Sequence, residues 1–159
     1  MAKTTLQAGQ PAPAFSGVTT DGQTVHLADY RGKWLILYFY PKDDTPGCTK
    51  EACSFRDQYS ALTGINAEVL GVSLDSPESH QRFTKKFGLP FSLLADTGAV
   101  VSTAYGVYGE KKNYGKTYLG IMRTTFLIDP QGVIRKIFRK VDVEHHATEL
   151  LAAIKDAGG

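Results

Sequence analysis

Both cysteines of this 159-residue chain, Cys48 and Cys53, lie in one stretch with the sequence YFYPKDDTPGCTKEAC. An apolar and aromatic run of strand length, 34–40, comes before them, and a helical pattern begins near Cys48. The first amide groups of a helix have no partner within the helix and carry the positive end of its dipole, so they stabilise an anion such as a thiolate. Cysteines at such positions are often reactive. We therefore expect Cys48 to be substantially thiolate at neutral pH.

Cys53 is predicted to lie on a different side of the same helix. A helix over 48–62 has a buried stripe composed of Cys48, Ala52, Phe55, Tyr59 and Leu62. Cys53 falls outside this stripe, and its neighbours three, four and seven positions away are polar. Because cysteine usually behaves as a small buried hydrophobe, a cysteine on a polar helical face indicates redox chemistry.

The C-x4-C spacing predicts how the two cysteines would react with each other. Residues five apart in a helix are separated by about 7.5 Å along the axis and have Cα atoms about 8.6 Å apart. A disulfide needs Cα atoms within about 7 Å. We therefore hypothesise that Cys48 reacts in the folded helix, and that Cys53 reaches it only after the first turn or two unwinds.

Three other interpretations of the cysteines stay open at this point. They are reduced structural thiols, a structural disulfide, and a zinc site. The polar face disfavours the first, the spacing disfavours the second, and the third lacks another pair of ligands at a matching distance. The histidines are interpreted as surface or capping residues rather than as metal ligands, and they are His26, His80, His145 and His146.

Length and composition predict one soluble domain over 1–159. The hydrophobic content of 42% is enough for a core, and the net charge of +2, with acids and bases interspersed, gives no reason to expect a nucleic-acid or membrane partner. The longest apolar run is too short to span a bilayer, and the amino terminus lacks the apolar core of a signal peptide. We expect a cytoplasmic location, where cysteines are kept reduced unless they cycle catalytically.

The elements that position the cysteines follow from periodicity and turn residues. Strands alternating with helices indicate a layered α/β fold with parallel strands. We predict a hairpin over 15–18 and 24–27, strands at 34–40, 67–74 and 91–94, and helices at 77–87, 99–105 and 143–157, with a second hairpin over 124–128 and 133–139. Ser76 and Pro77 are the predicted cap and first residue of the 77–87 helix. The segment 106–120 is predicted to be a long irregular loop, whose length suggests a functional role.

The active turn resembles a known family. Pro41, Thr45 and Cys48 match the P-x-x-x-T-x-x-C signature of the peroxiredoxins, and the full stretch resembles the bacterioferritin comigratory protein or peroxiredoxin Q subfamily. The segments QAGQPAPAF and GEKKNYGKTYLGIMRTTFLID extend the resemblance over nearly the whole chain. The resemblance implies a thioredoxin-like α/β fold, with a central mixed β-sheet flanked by helices and an N-terminal β-hairpin. It also implies a thiol-dependent peroxidase without a metal or other cofactor.

The resemblance further implies a role for each matching residue. Cys48 would be the peroxidatic cysteine, whose thiolate attacks the peroxide and becomes a sulfenic acid. Thr45 would hydrogen-bond the thiolate and the bound peroxide, and Pro41 would shield the nucleophile from water. Arg123, just before the TFLID strand, would pair with the sulfur and stabilise the leaving oxygen. Glu51 is interpreted as a structural acid in the first turn of the helix.

Cys53 matches the resolving cysteine of those subfamily members that place it five residues later. The resemblance implies an intramolecular Cys48–Cys53 disulfide, thioredoxin as reductant, hydrogen peroxide and organic hydroperoxides as substrates, and a monomer. Two other functions stay open. One is a thiol-disulfide oxidoreductase, which the missing C-x-x-C motif disfavours, and the other is a peroxide-sensing or holdase redox module.

Overall fold

Strand β3 (Trp34–Phe39) lies within a seven-stranded sheet in the computed structural model of the protein, which describes residues 4–158. All six residues of β3 are buried. Its even-numbered residues belong to one hydrophobic core and its odd-numbered residues to a second core. Because successive side chains of a strand point to opposite faces, a strand buried on both faces has a continuous apolar sequence. The predicted strand over 34–40 is confirmed.

The sheet is mixed, as predicted. The other strands of this sheet are β1 (Ser16–Thr19), β2 (Thr24–His26), β4 (Ala67–Ser73), β5 (Ser92–Ala95), β8 (Thr124–Ile128) and β9 (Ile134–Phe138), while β6 (Tyr108–Asn113) and β7 (Lys116–Ile121) form a separate two-stranded sheet. The order in the main sheet is β2-β1-β5-β4-β3-β8-β9. Strands β3, β4 and β5 are parallel to one another, whereas β1–β2, β1–β5, β3–β8 and β8–β9 are antiparallel pairs.

Helices cover both faces of this sheet. They are α1 (Pro46–Asp57), α2 (Tyr59–Gly64), α3 (Pro77–Phe87), α4 (Val100–Ala104) and α5 (His146–Asp156), and a 3₁₀ turn spans Leu27–Tyr30. The core on one face contains Phe55 of α1, Phe83 of α3 and Leu150 of α5. The core on the other face contains Val101 of α4. The predicted α/β architecture, with a central mixed sheet flanked by helices, is therefore confirmed.

Helix α1 begins two residues before the predicted start. Thr45 is its extended N-cap, with φ −99°, and Pro46 is its first residue. The fixed φ of proline suits this position, where its missing N–H would have had no partner within the helix. The predicted single helix over 48–62 is instead two helices that meet at Gln58. The apolar stripe continues through this break, so the sequence pattern gives no sign of it.

The capping prediction for α3 is confirmed. The Oγ atom of Ser76 accepts a hydrogen bond from the backbone N–H of Ser79 at 3.1 Å, and Pro77 is the first helical residue. Gly88 ends the helix in the left-handed conformation, with φ +62°. This left-handed conformation favours glycine, because glycine has no Cβ.

The prediction of an irregular loop over 106–120 was wrong. Strands β6 and β7 form an antiparallel hairpin, in which the two-residue turn Tyr114-Gly115 has φ values of +53° and +78°. Positive φ at both turn residues is typical of the turns that join twisted strands tightly. The sequence did not reveal the hairpin because most of these residues are polar or exposed and lack an apolar alternation.

Two histidines were also predicted wrongly. His80 and His146 are completely buried, whereas His26 and His145 are exposed. The Nε2 atom of His146 lies 2.8 Å from the hydroxyl of Thr125, and its Nδ1 lies 3.0 Å from the carboxylate of Glu149. These hydrogen bonds offset the cost of burying a polar ring. Composition and spacing do not reveal such partners, so the burial of these histidines could not be predicted from them.

The predicted domain covers 1–159, of which residues 1–3 and 159 lie outside the described part of the chain. Between residues 4 and 158, the structure contains no helix that is both long and apolar enough to cross a membrane.

Candidate active site

Cys48 is the third residue of α1, and its side chain is buried. The turn before α1 is short because Pro46 and Gly47 start the helix directly after Thr45. Cys48 therefore lies in the first helical turn, where the unpaired amide groups carry the positive end of the helix dipole. The structure confirms the predicted position of Cys48 at a helix start.

Arg123 reaches Cys48 from the segment between β7 and β8. Its Nη2 atom donates to the Sγ atom of Cys48 at 3.4 Å. Strand β8 pairs with β3 in a register that places Thr124 opposite Phe39. This pairing brings Arg123 to the end of β3 from which the chain enters α1. A fixed cation at this distance favours the thiolate over the thiol.

The sequence analysis also placed Glu51 wrongly, as an acid in the first turn of the helix. It lies in the second turn of α1, is completely buried, and accepts a hydrogen bond on Oε1 from Nη1 of Arg123 at 2.5 Å. Burial raises the pKa of Glu51 to about 7, and the opposing effect of Arg123 is smaller. The spacing from Cys48 was the available signal, because residues three apart share a helical face.

Two buried oxygens near Arg123 lack a hydrogen-bond partner among the residues described. They are Oε2 of Glu51 and the hydroxyl of Tyr38. Burial raises the pKa of Tyr38, and the negative charges of Glu51 and Cys48 raise it further. The raised pKa of Glu51 disfavours its complete ionisation at neutral pH, which leaves the guanidinium less neutralised toward Cys48.

Gly47 permits the close approach of Arg123 to α1. A Cβ atom built on Gly47 would lie 3.2 Å from Nη2 of Arg123, closer than an ordinary van der Waals contact. The same nitrogen donates to Cys48. The missing side chain at position 47 therefore leaves room for the guanidinium over the first turn.

Thr45 and Pro41 lie in the loop that connects β3 to α1, and both are half-buried. The hydroxyl of Thr45 donates to the backbone carbonyl of Lys42 at 2.8 Å. The structure thus brings Thr45 to the N-cap of the Cys48 helix but directs its hydroxyl hydrogen away from the sulfur. A hydroxyl that donates once can still accept a hydrogen bond.

Cys53 is half-buried and its thiol is free, as is the thiol of Cys48. Helix α1 runs without a break through both residues. Two contacts with α5 and the segment before it hold this part of α1. The Oγ atom of Ser54 accepts from the N–H of Ala147 in α5 at 3.1 Å, and Lys50 pairs with Glu144, two residues before α5, at 3.2 Å. Unwinding of α1 around Cys53 would have to loosen this contact with α5.

A cavity of about 500 Å³ opens beside Arg123. Its lining combines apolar side chains with cationic ones, and the residues are Thr4, Gly106, Val107, Met122, Arg123, Thr124, Arg139 and Lys140. No group of three or more His, Cys, Asp or Glu side chains that could hold a metal ion occurs among residues 4–158. The candidate active site thus consists of the Cys48 thiol, the Arg123 guanidinium and the adjacent cavity.

Comparison with known proteins gives consistent matches over the whole site. The model of the AhpC/TSA family matches residues 8–137. The peroxiredoxin Bcp of Bacillus subtilis is 49% identical over 152 residues, which are 96% of this chain and 97% of that protein.

Solved structures give the same result. A cysteine-to-serine mutant of Xylella fastidiosa PrxQ superimposes with a TM-score of 0.92 at 37% identity, covering 99% of this chain and 100% of that chain. The bacterioferritin comigratory protein of Xanthomonas campestris, studied for its alkyl peroxide reduction activity, superimposes with a TM-score of 0.88 at 39% identity, covering 96% and 100%.

Proposed function

This chain belongs to the AhpC/TSA family and is a thiol-dependent peroxidase, and we propose that Cys48 is the residue that attacks the peroxide. The observation that carries this assignment is the 3.4 Å contact between Nη2 of Arg123 and Sγ of Cys48, made at the start of a helix. The cation and the helix dipole both favour the thiolate, which is the nucleophilic form of cysteine.

In the proposed first step, the Cys48 thiolate attacks the terminal oxygen of the peroxide and the O–O bond breaks. The sulfur is oxidised to a sulfenic acid, and the other peroxide oxygen leaves as hydroxide or alkoxide and takes up a proton. Arg123 stabilises the negative charge that develops on this oxygen. Its two Nη atoms are well suited to this role, because the bond to Glu51 fixes one of them while the other faces the sulfur.

We propose that Thr45 and Pro41 complete the site. The Thr45 hydroxyl donates to Lys42 and can accept a hydrogen bond from the peroxide O–H. Pro41 directly follows the buried Tyr40, and its apolar ring would exclude water from the nucleophile. Both roles depend on the loop between β3 and α1 holding its conformation.

The chain is an atypical two-cysteine peroxiredoxin, and recycling by thioredoxin is general for its family. We propose that Cys53 resolves the sulfenic acid: its thiol condenses with the sulfenic acid of Cys48, water leaves, and a disulfide forms. Because α1 is intact in the reduced protein, this step requires its first two turns to unwind. A thioredoxin dithiol would then reduce the disulfide by exchange.

The family acts on peroxides, and we propose hydrogen peroxide and alkyl hydroperoxides as the substrates of this chain. The cavity beside Arg123 supports the second class, because Val107 and Met122 offer apolar surface to an alkyl group. We further propose a single-domain, monomeric enzyme that works in the cytoplasm, where thioredoxin-type reductants keep cysteines reduced.

The proposed function is tested by the consumption of NADPH in an assay that contains this protein, thioredoxin, thioredoxin reductase and hydrogen peroxide. We expect turnover with the wild-type protein and none with Cys48→Ser. Full activity of the Cys48→Ser variant would end the assignment. Rapid loss of the Cys48 thiol without turnover would exclude thioredoxin as the reductant.

A further inference from the structure

Asp43 and His80 form a buried pair behind the loop between β3 and α1, and the proposed peroxidase mechanism gives this pair no role. Asp43 lies in the loop between β3 and α1, and its side chain is 4% exposed. His80 lies in α3, and its side chain is 0% exposed. Charged groups are buried only at a considerable cost unless they are paired and hydrogen-bonded. This pair therefore needs an explanation.

The carboxylate of Asp43 is surrounded by donors. The Tyr40 hydroxyl donates to Oδ1 at 2.6 Å, and the Ser79 hydroxyl donates to Oδ2 at 2.8 Å. The Nδ1 atom of His80 lies 2.7 Å from the same Oδ2. An ionised carboxylate only accepts hydrogen bonds, so the two hydroxyls and the His80 ring can all donate to its two oxygens.

The partners of the His80 ring determine where its protons lie. Nε2 faces the backbone carbonyl of Leu94 at 3.0 Å, and a carbonyl can only accept. Nδ1 faces the carboxylate of Asp43, which also accepts. Both ring nitrogens therefore face hydrogen-bond acceptors, and a ring that carries a hydrogen on each nitrogen, with its charge balanced by Asp43, satisfies both contacts.

The hydrogen bonds of the Asp43 side chain fix the loop between β3 and α1, in which Pro41 and Thr45 each lie two residues from Asp43. The backbone of Asp43 is held as well, because its N–H donates to the carboxylate of Asp75 at 2.8 Å. The next residue, Asp44, has a φ of +58°, which is uncommon for a residue other than glycine. Such a conformation persists when the surrounding contacts over-determine it. The loop is thus held in one conformation from α3 and from the end of β4.

We propose that His80 is a positioning residue of the peroxidase. Its charged ring holds Asp43, and through Asp43 it holds Pro41 and Thr45 in place beside Cys48. This inference rests on the proposed role of Cys48 as the residue that attacks the peroxide. A displacement of about 1 Å in a catalytic constellation can reduce a rate by roughly 10²-fold. Loss of the pair therefore slows the attack of Cys48 on peroxide and leaves the later condensation with Cys53 unaffected.

The kinetic test uses His80→Asn, with Gln81→Ala as the matched control. Gln81 is the next residue of α3, is exposed, and has no bond to Asp43. Rapid quenching followed by thiol alkylation and mass spectrometry measures sulfenic acid and disulfide separately. We expect His80→Asn to lower the second-order rate of Cys48 oxidation at least tenfold, with the first-order rate of disulfide formation within twofold of wild type. Gln81→Ala should match the wild type in both steps.

The spectroscopic test does not depend on the folding of the His80→Asn variant. Two-bond ¹H–¹⁵N spectra at pH 7.5 should show both nitrogens of His80 protonated in the wild type. In Asp43→Asn, the new amide donates to Nδ1, so His80 should become neutral and keep only the hydrogen that faces Leu94. Because a neutral hydrogen bond is about half as strong as a charge-assisted one, Cys48 oxidation should slow severalfold in this variant.

A neutral His80 ring in the wild-type protein would overturn the inference. Unchanged rates of Cys48 oxidation in both variants would overturn it too, while leaving the proposed function intact. The proposed function fails separately, if wild-type and Cys48→Ser proteins consume peroxide at the same rate.

Discussion

The Nη2 atom of Arg123 lies 3.4 Å from the Sγ atom of Cys48, although 75 residues separate them in the chain. The antiparallel pairing of β3 with β8 makes this contact possible, because it places the residue before β8 next to the loop that leads into α1. The Nη1 atom of the same guanidinium donates to Oε1 of the buried Glu51. We therefore expect Arg123 to have two tasks, which are to favour the thiolate and to compensate a buried carboxylate.

We expect Arg123→Gln to lower the second-order rate of Cys48 oxidation by about 10²- to 10³-fold, the range found when one electrostatic donor is removed from a transition state. The variant should also be less stable, by roughly 1–3 kcal/mol, because the buried Glu51 carboxyl loses its hydrogen-bond partner and takes up a proton. Stopped-flow kinetics with hydrogen peroxide and urea unfolding measure the two effects.

The double variant Glu51→Gln with Arg123→Gln separates these two tasks. It removes both charges, so it should recover most of the lost stability while its reaction with peroxide stays slow. Recovery of the rate together with the stability would show that Arg123 acts only by keeping the site folded.

Glu51 should make the stability of the protein depend on pH. Burial raises the pKa of Glu51 from 4.5 to about 7 in the folded protein. Between these values the native state retains a proton that the unfolded state has lost, so the free energy of unfolding decreases as pH rises from 4.5 to 7. The decrease attributable to this residue is at most roughly 3 kcal/mol. Urea unfolding at pH 5 and pH 8 measures it.

Glu51→Gln is the matched variant for this measurement. Its amide oxygen still accepts from Arg123, and its side chain does not titrate. Its advantage in stability over the wild type should therefore be larger at pH 8 than at pH 5. An equal difference between the two proteins at both pH values would show that Glu51 does not hold a proton in this range.

Local signals in the sequence were sufficient to predict where Cys48 lies but not what surrounds it. The apolar run before Pro41 and the helical pattern that begins near Cys48 place this cysteine at a helix start without any knowledge of distant residues. The pairing of Glu51 with Arg123 joins residues 72 positions apart, and the three-residue spacing from Cys48 was the one local sign that Glu51 shares a buried helical face. The family resemblance supplied Arg123, whereas it took the three-dimensional structure to identify Glu51.

The same limit explains the errors in the fold. The β6–β7 hairpin has a mostly polar or exposed sequence, and its pairing depends on a two-residue turn with positive φ at Tyr114 and Gly115. The burial of His80 depends on Asp43 and Leu94, which come from different elements. Apolar periodicity identifies core strands and helices, but it does not identify polar residues whose partners are supplied by the tertiary fold.

We expect Gly47→Ala to slow Cys48 oxidation severalfold without loss of stability. The new Cβ would lie 3.2 Å from Nη2 of Arg123 and would push the guanidinium away from the sulfur by a few tenths of an ångström. Alanine is favoured over glycine within a helix by about 1 kcal/mol, so the fold should tolerate the change. Stopped-flow kinetics and thermal unfolding test both statements.

Gly64→Ala is the control for Gly47→Ala. Gly64 also lies in a helix, and a Cβ atom built there meets no atom within 4 Å. This variant should react with peroxide at the wild-type rate. Similar slowing in both variants would mean that helix propensity, and not contact with Arg123, controls the reaction.

We expect Cys53→Ser to react once with peroxide and then stop when thioredoxin is the reductant. The sulfenic acid of Cys48 would form at the wild-type rate, because Cys53 lies outside the buried stripe that holds Cys48. Without the second thiol, no intramolecular disulfide would form. A burst of one equivalent of peroxide consumed, without steady NADPH oxidation, is the expected observation. Continued turnover would show that Cys53 is not required for resolution.

Oxidation should unwind the beginning of α1. Residues five apart in an intact helix have Cα atoms about 8.6 Å apart, beyond the reach of a disulfide, so Cys48 and Cys53 can bond only if the helix opens. The amides of residues 48–57 should then exchange hydrogen for deuterium faster in the oxidised protein than in the reduced one. The contact between Ser54 and Ala147 should loosen with them, which predicts faster exchange at the start of α5 as well. Peroxide-treated Cys53→Ser should keep the slow exchange of the reduced protein, since its helix has no disulfide to accommodate. Equal protection of α1 in the oxidised and reduced wild-type proteins would rule out an intramolecular disulfide between these two cysteines.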